Sequence, residues 1–129
     1  MSDYGAHPTQ YGNLSDGNLY AMYRESVYRS LSESQKLDLL QETVNRDAAA
    51  RGEVGSPKVR FENLPSGTDG YAEKGVISVN RDLAVNGTRT ATYQGKTLQH
   101  TINDYNIQSL VTVLHENVHC YRDQIIDGT

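Results

Sequence analysis

The feature that most constrains this chain is a pentapeptide close to its C-terminal end, His115-Glu116-Asn117-Val118-His119. Histidines four positions apart stack on one side of an α-helix, with Cβ atoms about 5–6 Å apart. Imidazoles at that spacing can converge on one zinc ion, which takes nitrogen ligands at about 2.0–2.1 Å. Glu116 is turned away from both histidines round the helix, beside the ion's position and not aimed at it. A carboxylate placed there suits a base acting on a zinc-activated water. Chance gives on the order of 0.006 such matches in a chain of this make-up, so the pattern is informative, though it is a hypothesis until its setting is known.

The setting is a long helix. Ile107, Leu110, Val111, Leu114, Val118, Tyr121 and Ile125 recur at steps of three and four. They form a stripe of roughly 100° that predicts a core-facing side, with Asn103 or Asp104 as the cap. Both histidines fall just beside the stripe, which would place a metal at the border of the core. On this reading Cys120 is a buried thiol and Tyr121 a core residue.

Upstream, residues 1–14 have no period and read as a loosely held arm ahead of a single domain over 15–129. Ser15 or Asp16 can cap a first helix carrying Leu19, Tyr20, Tyr23, Val27 and Leu31. Ser32 and Gln35 have the form of a capping box for a second, whose face is Leu37, Leu40, Val44 and Ala48 and whose end is Gly52. The texture then turns to short alternating runs. Strands are expected at 58–64 and 71–80, the latter with Gly75 as a weak point or bulge, and a hairpin over Gln94-Gly95. Helices, then strands, then one long helix make an α+β fold.

Composition removes several alternatives. The 129 residues carry a formal charge of −4, which gives no electrostatic reason to seek a phosphate backbone and argues against a nuclease. No apolar run is long enough to span a membrane, and the opening Met1-Ser-Asp-Tyr-Gly lacks the basic start and apolar stretch of a secretory signal. The single cysteine allows no internal disulfide.

The stretch Leu110-Val-Thr-Val-Leu-His-Glu-Asn-Val-His-Cys-Tyr-Arg122 resembles the active-site helix of zincin metallopeptidases, in particular those of bacterial effectors and polymorphic toxins. Gly75-Val-Ile-Ser-Val-Asn80 resembles the edge strand that lies above that helix in zincins and pairs with extended substrate. The resemblance covers roughly residues 15–126 and implies a minimal zincin core with N-terminal helices and a small, mostly antiparallel sheet. It implies Zn2+ on His115 and His119, Glu116 as general acid/base, and Val76, Ile77, Ser78 and Val79 pairing with a protein or peptide substrate. It also implies that the protein is secreted or delivered as part of a larger one.

One part of the pattern is missing. Zincins use a third protein ligand C-terminal to the motif, and metzincin spacing puts it at Ile125, which cannot coordinate. Asp123 follows His115 by about 12 Å of helix rise, too far for one ion on an unbroken helix, so it is a second-shell acceptor or a surface charge. Asp127 reaches back only if the helix stops near Ile126. His100 and His7 are the other candidates, from the hairpin and the arm. The simplest expectation is a third ligand beyond Thr129, in a chain truncated there. The competing reading is a non-catalytic structural or binding module of a larger secreted or mobile-element protein.

Overall fold

The computed structural model describes residues 4–127, with side chains through 125. The Ser15 hydroxyl accepts from the Asn18 amide and opens α1, Asp16–Ala21. The single helix expected from there to Leu31 is broken, and α2 spans Glu25–Ser30. The reason lies in the tyrosines. Tyr23 and Tyr28 are both buried, with stacked rings 6.0 Å apart. Five positions on one continuous helix diverge by about 140°. The break lets both rings enter the same core.

Helix α3, Glu33–Arg51, starts with both halves of the Ser32/Gln35 capping box and ends on Gly52 in the left-handed conformation, φ 76°. Leu40, Val44 and Ala48 are buried along it, as their spacing predicts. The described part of the arm is tied down along this helix. Gly5 bridges Ser56, the Asn45 amide donates to the His7 carbonyl, and Thr9 donates to Glu42. Tyr11 enters the core. The loosely held arm is corrected to a docked one from Tyr4 onward.

Three strands form a mixed sheet in the order β1-β3-β2: β1 is Lys58–Glu62, β2 Gly70–Glu73 and β3 Val76–Asn80. The strand expected over 71–80 folds back on itself. Lys74 and Gly75 have φ of 50° and 79° and form the two-residue hairpin turn between Glu73 and Val76. Gly75 is therefore the turn and not a bulge. This corrects the substrate-pairing assignment as well. Val76, Ile77, Ser78 and Val79 form the central strand, parallel to β1 and antiparallel to β2. Both sides of its backbone are committed, so the edges belong to β1 and β2. A short π-helical segment, Asp82–Asn86, leads to a separate hairpin, β4 (Thr88–Tyr93) and β5 (Lys96–Thr101), over Gln94-Gly95 as expected.

Helix α4, Tyr105–Asp127, closes the α+β fold and carries the motif. Its orientation departs most from expectation. Ile107, Val111 and Ile125 are 44%, 54% and 49% exposed, while Tyr105, Ser109, Val113, Asn117 and Cys120 are buried. The inward face is held by carboxamides. The Asn106 amide donates to the Tyr23 carbonyl at 2.7 Å, and that of Asn117 donates to Asp47 at 2.8 Å and Glu53 at 3.1 Å. Gln124 exchanges two hydrogen bonds with the Val54 backbone. These three residues lie within about 20° of one another round the helix. Ser109 and Thr112 satisfy their hydroxyls on carbonyls one turn back. Buried polar groups with partners cost little, but among the described residues the Asn106 and Asn117 carboxamide oxygens and Glu53 Oε1 have none. No described helix is long and apolar enough to cross a membrane.

Candidate metal and catalytic site

His115 and His119 sit on successive turns of α4, exposed, with ring centroids 4.9 Å apart and planes at 85°. Their Nε2 atoms are 3.3 Å apart. Two nitrogens bound to zinc at 2.0–2.1 Å and a tetrahedral angle stand about 3.3–3.4 Å apart. The pair thus has the separation that adjacent ligands of one zinc require. As a direct contact between neutral imidazoles, 3.3 Å is a long hydrogen bond.

Glu116 is half-buried and faces the start of β2. A Cβ on Gly70 would stand 2.8 Å from Thr112 Cγ2, 2.9 Å from the Ser78 carbonyl oxygen and 3.7 Å from Glu116 Cγ. Only a residue without a side chain lets β2 lie this close to the helical turn carrying the carboxylate. β2, an edge strand of the three-stranded sheet, is therefore brought against Glu116 at its Gly70 end. Among the described residues Glu116 has no hydrogen-bond or ion-pair partner, so its carboxylate is uncommitted.

The other candidate ligands do not join the pair. Asp123 is exposed one turn beyond His119 on an unbroken helix, where the rise from His115 keeps it away. Because α4 continues through Asp127, the reach-back from a stopped helix does not occur; the Asp127 side chain lies outside the described residues. His100 is exposed on β5, opposite Arg89. His7 belongs to the docked arm and lines an open cavity of about 500 Å³ with Asn45 and Glu53. No three His, Cys, Asp or Glu side chains among the described residues are grouped to hold a metal. Cys120 points inward, and its thiol is pushed up to about 11, chiefly by burial, so it is a poor thiolate ligand.

The back of α4 carries a second polar cluster that the motif does not reveal. Asn117 is fully buried and its amide nitrogen is shared by the Asp47 and Glu53 carboxylates. Arg51 pairs with Asp47 at 3.0 Å. Burial raises the Glu53 carboxyl above its ordinary range and Asp47 adds to the rise, while the hydrogen bond from Asn117 and the charge of Arg51 oppose it. The signal in the sequence was the run of amides, Asn117 and Gln124 seven apart and Asn106 eleven before, which an apolar count passes over. Gly70 was missed because its importance lies in what it touches.

The chain matches no protein-family model, no curated protein and no solved structure. The likeness to zincins therefore rests on the motif and its surroundings.

Proposed function

We propose that the protein is a zinc-dependent metallopeptidase of the zincin type, with His115 and His119 as ligands and Glu116 as general acid/base. The observation that carries this reading is the 3.3 Å separation of the two Nε2 atoms, beside an uncommitted carboxylate on the same helix. When bound, zinc supplies Lewis-acid polarisation of a substrate carbonyl and acidifies a water. Glu116 takes the proton of the attacking water and returns it to the leaving amine. The substrate is an extended peptide, which adds along β2 in place of the β3 strand first expected, because main-chain hydrogen bonding needs an open edge.

A second reading, a non-catalytic module with a structural or vestigial metal pair, is favoured by the two-histidine count, since catalytic zinc sites have three protein ligands. One experiment separates them. Purified protein is loaded with Zn2+ and incubated with a fluorescence-quenched peptide library, alongside Glu116→Gln. The peptidase reading expects hydrolysis that falls about 10²–10⁴-fold in the variant while zinc uptake is unchanged. Zinc uptake with no hydrolysis supports the module, and activity that survives Glu116→Gln removes Glu116 from its role.

A further inference from the structure

We infer that Asn117 is a positioning residue: with Asp47 and Glu53 it forms a clamp that fixes the rotation of α4, and so sets Glu116 against the start of β2 and the direction in which His115 and His119 face. This deepens the peptidase reading as to what aims the site, and the clamp itself does not depend on that reading.

The argument starts from a conflict within one helix. The apolar residues of α4 are spaced 4-3-4-3-4 over Ile107, Val111, Leu114, Val118, Tyr121 and Ile125, a strong amphipathic pattern. Hydrophobic burial alone would turn that stripe inward. Its Ile107, Val111 and Ile125 are instead about half exposed, while Leu114, Val118 and Tyr121 are partly buried. The observed rotation buries Tyr105, Val113 and Cys120 in the core, and directional bonds on that same face hold it there. Among the described contacts, the inward face offers hydrogen bonds that work at one rotation only. Asn117 donates to carboxylates from α3 and from the turn after it, and Gln124, two turns on, is fastened to Val54 in that same turn. Hydrogen bonds to charged acceptors are about twice as strong as neutral ones. Removing the Asn117 donor would add a desolvation cost at the Glu53 carboxylate, while Asp47 would keep its pair with Arg51.

The clamp lies on the far flank of the helix from the motif. Asn117 is about 200° from His115 and 160° from His119 round the axis. The Gly70 end of β2 meets α4 at Thr112 and Glu116. Rotating α4 would move Glu116 relative to β2 and change the direction in which the imidazoles face with it. The spacing between the two imidazoles would not change, because it belongs to the helix itself.

The test uses Co2+ on the His115–His119 pair as a paramagnetic marker and reads the broadening of backbone amide signals. In the wild-type protein the Gly70–Glu73 amides should be broadened more than those of residues 53–55. Asn117→Asp, which sets a third carboxylate against Asp47 and Glu53, should weaken broadening of Gly70–Glu73 at least threefold. Adding Glu53→Gln restores an amide–carboxylate pair with donor and acceptor exchanged and should recover most of the pattern. An unchanged pattern in Asn117→Asp, or no recovery in the double variant, would overturn the inference. If Asn117→Asp alone does not fold, the double variant decides: a folded protein with the wild-type pattern supports the clamp, and an unfolded one overturns it. Should wild-type protein take up no Co2+, and then no Zn2+ either, the metal reading fails, and the clamp is judged by labelling of Cys120, buried on the inward face. A thiol reagent should then modify Asn117→Asp at least tenfold faster than wild type and the double variant at close to the wild-type rate. Equal rates in all three overturn it.

Discussion

Helices α3 and α4 pack against each other, and both carry apolar residues at helical spacing, yet they bury them to different extents. In α3 the periodic residues Leu40, Val44 and Ala48 are buried. In α4 the more regular stripe lies partly in solvent, and amide side chains face the core alongside Tyr105, Val113 and Cys120. A helix with a hydrophobic stripe has a preferred side to bury, but the amino-acid pattern does not say what lies opposite that side. Where the opposing surface offers carboxylates and backbone groups, as the segment around Asp47, Glu53 and Val54 does, directional bonds compete with apolar burial and set the rotation.

The comparison can be broken by substitution. The largest effect is expected for Leu40→Ala, which opens a cavity beneath α3 and should cost about 2–5 kcal/mol in urea unfolding. A loss below about 1 kcal/mol would mean that α3 is not the well-packed partner. The clamp predicts an intermediate effect through pH. The Glu53 carboxyl is raised in the folded protein, so its favourable contribution is complete below the unfolded value of about 4.3 and is lost as pH rises through the folded value. Glu53→Gln cannot ionise and should flatten the fall in stability over that window, as read from urea midpoints between pH 4 and 7. Identical slopes in the two proteins would remove Glu53 from the account. The smallest effect is expected for Val111→Ser. On the exposed stripe it should change stability by no more than about 0.5 kcal/mol. A loss above about 2 kcal/mol would restore the stripe to the core.

The contrast also shows what could be read from the sequence. Local chemistry was legible: the Ser32/Gln35 box, the Gly52 stop, the Ser15 cap and the Gln94-Gly95 hairpin all follow from side chains acting within a few residues. The α+β order followed from them. Less legible was anything set by distant partners. Lys74-Gly75 reads as a soft point in one strand until Val76 is seen pairing with both Lys58 and Glu73, which makes β3 central. The break after α1 depends on two tyrosines sharing one core. At the site, the His115–His119 pairing was legible because both residues belong to one helix, and the structure brings their nitrogens together. The approach of Gly70 to Glu116 was not, since 46 residues separate the two in the chain.

The gap between the two imidazoles comes from the pitch of a single helix, whereas the direction in which they look out comes from groups on its opposite side. In the proposed metal site, grip and aim would therefore be under separate control. Changes along the hidden flank can redirect the pair over the protein surface without loosening its hold, and changes at the rings can alter the hold without moving the helix.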